Sequence, residues 1–118
     1  FQDQIEVHDL ARQLKVKGYR TSFLSNTEVS AMHYFYEHHY DDFLESPVFS
    51  CVEGYQKPQA EIYQIALKRL GLKPEETVFI DDKLAYIEGA RKIGMHGIVF
   101  QNLEQLKREL ALLSVKIA

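Results

Sequence analysis

An α/β fold with a parallel sheet is what this sequence predicts, on three observations. Stretches with apolar residues at helical spacing alternate with short, nearly continuous apolar runs. Such alternation specifies strands buried on both faces and crossed by helices. The polar residues able to do chemistry directly follow the apolar runs, at strand carboxyl ends, where open parallel sheets bind ligands. A length of 118 residues accommodates one domain, spanning 1–118, and no second.

The elements follow in order. Val7, Leu10, Ala11 and Leu14 share one helical face, and Gly18 stands where a helix terminates. Tyr19 to Leu24 reads as the first strand. Ser25, Asn26 and Thr27 offer capping side chains to a second helix striped by Val29, Met32, Tyr36 and Tyr40, with Pro47 ending that region. Val48 to Val52 reads as the second strand, burying Cys51 as an inert thiol. After a loop over 53–56, Pro58 takes the first turn of a helix faced by Ile62, Ile65, Ala66 and Leu70. Thr77 to Ile80 is a third strand, with Asp81 and Asp82 at its carboxyl end. Leu84, Ile87, Ala90 and Ile93 carry the next helix. Gly89 within it costs about 1 kcal/mol against alanine, which implies close packing on the sheet. Gly97 to Phe100 is the fourth strand, and Asn102 with Gln105 resembles a capping box for a helix carrying Leu103, Leu106, Leu110 and Leu113.

Composition narrows the function classes. The 14 basic and 17 acidic residues give a net charge of -3 with both signs scattered, which argues against nucleic acid or an anionic membrane as partner. A single cysteine makes no internal disulfide, so a reducing, cytoplasmic setting is expected. No apolar run approaches the roughly 20 residues of a membrane span. The chain opens Phe-Gln-Asp-Gln-Ile, neither a signal peptide nor an initiator methionine, and reads as cut, processed or incomplete at its front. His33, His38 and His39 lie in an aromatic stretch whose bulk points to core packing, not to metal or base stacking.

Three strand ends converge on one edge. Ser25 and Asn26, before a helix start, fit an anion receptor that favours phosphate. Lys57 adds a point charge able to neutralise a phosphoryl oxygen and to pair with a carboxylate. Asp81 and Asp82 suggest Mg²⁺, which takes oxygen ligands and keeps waters and a substrate phosphate in its shell. Taken singly, the first is an ordinary helix cap, the second a surface lysine and the third a structural cap. Together they describe a Mg²⁺-assisted phosphoryl site.

Leu24-Ser25-Asn26-Thr27, Gly54-Tyr55-Gln56-Lys57-Pro58 with Glu61-Ile62-Tyr63, and Val78-Phe79-Ile80-Asp81-Asp82 with Ile87-Glu88-Gly89-Ala90 and Gly94-Met95 resemble motifs II, III and IV of the haloacid dehalogenase (HAD) superfamily. The similarity is greatest to its sugar-phosphate phosphatase and epoxide-hydrolase-like branch, in the family's order and spacing. It implies a Rossmann-like three-layer α/β/α domain. It also implies that Ser25 and Asn26 hold the phosphoryl group, that Lys57 stabilises its charge and that Asp81 and Asp82 serve the Mg²⁺ site, Asp82 as the direct or water-mediated ligand and Asp81 as the partner of Lys57.

The family's motif I, an Asp-x-Asp loop that supplies the nucleophile, has no counterpart; the other aspartates are Asp3, Asp9, Asp41 and Asp42. In the family that strand lies between those ending here at Leu24 and Ile80, so both neighbours are expected to show unpaired edges. The small cap domain is missing too, with Phe1 to Glu6 as the point of return from it. Tyr86 stands where this branch often has Asn. The expectation is the carboxyl-terminal part of a phosphatase core, inactive alone, which acts on a small phosphomonoester such as a sugar phosphate through an aspartyl-phosphate. An N-terminal segment or second chain supplies the nucleophile. The alternative is a non-catalytic module that binds or assembles, its edges paired in a homo-oligomer. Hydrolysis of a carbon–halogen bond is disfavoured by the paired Asp81 and Asp82.

Overall fold

The computed structural model describes residues 5–114. Phe1 to Gln4, within the expected return from a cap, lie outside them. The elements are α1 (Ile5–Val16), β1 (Ser22–Ser25), α2 (Val29–Glu37), β2 (Glu45–Phe49), α3 (Ser50–Glu53), α4 (Ala60–Leu70), β3 (Val78–Asp81), α5 (Leu84–Lys92), β4 (His96–Val99) and α6 (Leu103–Leu112). Gly18, at φ +95°, ends α1: its own N–H reaches the Lys15 carbonyl and the Tyr19 N–H reaches back to Leu14 at 3.0 Å. Asn102 and Gln105 form the expected capping box, the Gln105 N–H donating to Asn102 Oδ1 at 2.8 Å.

Alternation along each strand makes three layers. Leu24, Val48, Phe79 and Val99 point into one apolar cluster, built on Ile62 and Tyr63 of α4 and Ile87 and Ala90 of α5. Their neighbours Phe23 and Phe49 point the other way, onto Phe35 of α2 and the segment Tyr40 to Leu44. Ile80 and Ile98 likewise meet Leu10 of α1 and Leu106 and Leu110 of α6. A sheet thus lies between two helical layers, the Rossmann-like arrangement its two-sided strands require.

The sheet is divided. β1 pairs in parallel with β2, and β3 in parallel with β4, with no ladder joining the two pairs among the described residues. They are held together through side chains: Val48 of one and Phe79 of the other share the cluster under α4 and α5. All four residues of β1 are only half-buried, which is unusual for a strand with helices on both faces.

The second strand departs from expectation. It runs Glu45–Phe49 with Pro47 inside it. Ser22 opposes Glu45 while Leu24 opposes Val48, so Ser46 and Pro47 face a single residue across the ladder. This is a bulge, which tolerates a proline lacking the N–H, and Ser46 takes φ +46° to form it. The strand therefore ends at Phe49, and Cys51 is exposed on α3 instead of buried in a strand. Tyr40 lies beyond α2 in a single 3₁₀ turn, Tyr40–Asp42. Pro58 precedes α4, whose N-cap is Gln59, because the Gln59 N–H closes a turn onto the Gln56 carbonyl at 2.8 Å. No helix among the described residues is long and apolar enough to cross a membrane.

Candidate active site

The site is organised around a nearly dry ion pair. Lys57 Nζ donates to Asp81 Oδ2 at 2.6 Å, with the two side chains only 8% and 11% exposed. Lys57 leaves the loop after α3, and Asp81 ends β3, so the pair bridges the two halves of the sheet. Asn26, directly after β1, fixes the lysine from its backbone. The Lys57 N–H donates to Asn26 Oδ1 at 2.7 Å, and Asn26 Nδ2 donates to the Lys57 carbonyl at 3.1 Å. These reciprocal bonds tie the carboxyl ends of β1 and β3 to one lysine.

Burial alone would push the Asp81 carboxyl up. The hydrogen bond and charge of Lys57, with the Lys83 N–H donating to Asp81 Oδ1 at 3.1 Å, outweigh it and hold the carboxyl below its ordinary value. Asp81 is therefore an anion that keeps Lys57 in place. An ammonium has three donors and Asp81 takes one, which leaves Lys57 able to donate to a bound anion. Asp82, the next residue, is exposed.

A buried phenol anchors the start of α5. Tyr63, fully buried in α4, donates its O–H to the Tyr86 carbonyl at 2.6 Å. Its hydroxyl is pushed up to about 12 by burial, then by the charge of Asp81 and by Tyr86. Gly89, one turn on in α5, passes Pro58 so closely that a Cβ would lie 2.8 Å from Pro58 Cβ and 2.9 Å from its carbonyl oxygen. Its close approach is therefore to the Lys57–Pro58 segment, not to the sheet as its sequence position suggested.

The predicted residues thus fall at one edge, with their local roles altered in two places. Ser25 ends β1, half-buried, opposite Phe49. Asn26 is a bracket for Lys57, its side-chain amide used in both directions. None of Ser25, Asn26 and Thr27 caps α2, whose N-cap is Glu28 without a side-chain bond. Thr27 is held by Ser50 instead: the Thr27 N–H donates to Ser50 Oγ at 2.8 Å, and that hydroxyl donates to the Thr27 carbonyl at 3.2 Å. Ser50 carried no signal of this in sequence, because its position depends on where β2 ends, and Tyr63 stood out only as part of the motif that holds Lys57.

A family profile for haloacid dehalogenase-like hydrolases matches residues 5–94, an interval that contains every residue of this site. The chain belongs to the haloacid dehalogenase-like hydrolases. Among its relatives, the sesquiterpene phosphatase of Aspergillus oryzae is 34% identical over 90 residues, covering 75% of this chain and 46% of that protein. A predicted HAD-like family hydrolase of Porphyromonas gingivalis superposes with a TM-score of 0.82 at 28% identity, covering 98% of this chain and 59% of the other. A HAD enzyme of Bacteroides thetaiotaomicron, crystallised with magnesium and inorganic phosphate, shares the fold at a TM-score of 0.70 and 22% identity, over 85% of this chain and 57% of its own. The chain thus spans less than half the length of that fungal phosphatase and under two thirds of either structure.

Proposed function

We propose that this chain is the phosphate-binding, charge-stabilising part of a Mg²⁺-dependent phosphatase acting on a small phosphomonoester. The observation that carries the reading is the Lys57–Asp81 pair, buried and bracketed by Asn26 where both halves of the sheet end. A buried lysine that gives one of its three donors to a carboxylate is suited to an oxyanion whose charge grows during transfer. Ser25 adds a hydroxyl donor at the same edge. Asn26 acts through Lys57, by fixing its backbone.

The donors fit magnesium as part of a shell. Asp82 offers an exposed hard carboxylate beside the pair. That suits an ion which completes its shell with waters, substrate phosphate and a further carboxylate. Bound there, Mg²⁺ would neutralise phosphoryl oxygens as a Lewis acid. Asp81, committed to Lys57 and the Lys83 N–H, would orient the loop.

The attacking carboxylate belongs, in this reading, to a strand outside these residues that enters between β1 and β3. It would join the two parallel pairs and bring its own carboxyl end beside Lys57. Its aspartate would displace the alcohol from phosphorus to form an aspartyl-phosphate, which water then hydrolyses.

The test is Mg²⁺-dependent release of phosphate from a panel of phosphomonoesters by the full-length protein. Lys57→Ala and Asp82→Asn are each expected to abolish turnover. An active Asp82→Asn enzyme would remove that residue from the metal site. Full-length protein that binds phosphate without turning any ester over would favour the second reading, a binding module whose divided sheet serves assembly.

A further inference from the structure

Lys57 has a second neighbour besides Asp81. The ring of Tyr86 lies with its centroid 4.9 Å from Lys57 Nζ, and that of Phe79 at 5.6 Å. Tyr86 is the third residue of α5, and its backbone is anchored by the fully buried Tyr63 hydroxyl at 2.6 Å. The ring is thus placed by the core of the fold, not by a mobile loop. A lysine whose side chain is 8% exposed is largely withdrawn from water, and a π face offers its ammonium partial compensation along one direction. The same ring carries Lys83 Nζ at 5.3 Å, so two cations gather on one aromatic side chain beside Asp81.

We propose that Tyr86 is a positioning residue of the phosphoryl site: its ring face restrains the Lys57 ammonium, so that Asp81 on one side and a bound phosphate on the other meet it in a fixed geometry. The role in phosphate binding rests on the phosphatase reading above; the restraint on Lys57 rests on the contacts alone. The side chain that looked like a departure from the family pattern is then part of the site. What it contributes is the ring, and the phenolic hydroxyl is dispensable.

Two variants separate ring from hydroxyl. Tyr86→Phe keeps the π face, and Tyr86→Leu removes it; Tyr86→Met serves where the leucine variant does not fold. Two readouts are used on each. The first is the ¹H–¹³C resonance of the Lys57 ε-methylene, assigned with Lys57→Arg, which a nearby ring face shifts upfield. The second is the affinity for inorganic phosphate in the presence of Mg²⁺. The upfield shift should persist in Tyr86→Phe and shrink in Tyr86→Leu to the part that the Phe79 ring supplies. Phosphate should bind Tyr86→Phe within about 2-fold of wild type and Tyr86→Leu about 3- to 30-fold more weakly, the range between an exposed and a desolvated cation–π contact.

An ε-methylene resonance unmoved by Tyr86→Leu would overturn the restraint. Unchanged phosphate affinity in Tyr86→Leu, with wild type binding normally, would overturn the positioning role while leaving the phosphatase reading intact. Wild-type protein that binds no phosphate would overturn the phosphatase reading, and with it the role assigned to the contact.

Discussion

Replacing Lys57 by Met keeps most of the side-chain volume and strands a carboxylate. Asp81, 11% exposed and now without the ammonium 2.6 Å away, would retain the Lys83 N–H as a donor. Removing one partner of a buried pair costs roughly 3–5 kcal/mol. The remaining hydrogen bond and the small exposure put this case at the lower end, about 3 kcal/mol. Against the 5–15 kcal/mol typical of a whole domain that is a large loss. The loss has a pH signature. In the wild type the Asp81 carboxyl is held below its ordinary 3.8, so its contribution is fully present above that value and is lost as pH falls through the folded-state value. In Lys57→Met only burial remains dominant, and it pushes the carboxyl up. The variant's deficit should therefore be largest near pH 7 and shrink as pH falls toward 4, where a protonated Asp81 needs no cation. Urea unfolding followed by far-ultraviolet circular dichroism at pH 7, 5.5 and 4.5 measures it. The double variant Lys57→Met/Asp81→Asn should recover about half the loss at pH 7, because no unpaired charge stays buried. A deficit under about 1 kcal/mol, independent of pH and additive with Asp81→Asn, would show that the pair is solvated like an ordinary surface bridge.

Gly89→Ala should destabilise the protein by about 1–3 kcal/mol despite the better helix former, because the added Cβ meets Pro58 backbone and ring at under 3.0 Å; thermal unfolding checks it. The same variant should displace the Lys57 amide resonance, since Pro58 must move. Tyr63→Phe loses the bond to the Tyr86 carbonyl and should cost about 1 kcal/mol. Absorbance titration at 295 nm should show a phenol ionising near 12 in wild type that is lost in Tyr63→Phe; since that value is raised, its share of stability holds below about 10 and fades through 12. Cys51 should react with a thiol reagent in the native protein without denaturant, as its exposure on α3 requires.

The fold was legible because its helices carry their own punctuation. Gly18 after α1 and the Asn102–Gln105 box before α6 are local signals whose physics does not depend on the rest of the chain. The parallel sheet and its division into two pairs were legible too, from the order of apolar runs and from the lack of an Asp-x-Asp run in this sequence. What local pattern misjudged was β2. A bulge accommodates Pro47 within the strand, and no propensity of the segment reports that its partner β1 needs one residue fewer. The error carried Cys51 from the surface into an imagined interior and concealed Ser50. At the site, residue types and strand ends brought together Asn26, Lys57 and Asp81. The use of Asn26 as a backbone bracket, and of Tyr86 as a face for Lys57, depends on side chains about 30 residues apart meeting, which only the folded chain displays.

The central claim is that Ser25, Asn26, Lys57 and Asp81–Asp82 form a phosphoryl site, and an amide-resolved NMR titration of this chain with inorganic phosphate and Mg²⁺ tests it most directly. The account predicts saturable, Mg²⁺-enhanced shifts concentrated at residues 25–27, 57 and 81–83, and their loss in Lys57→Ala. Shifts that are absent, scattered over the surface lysines or unaltered by Lys57→Ala would contradict it.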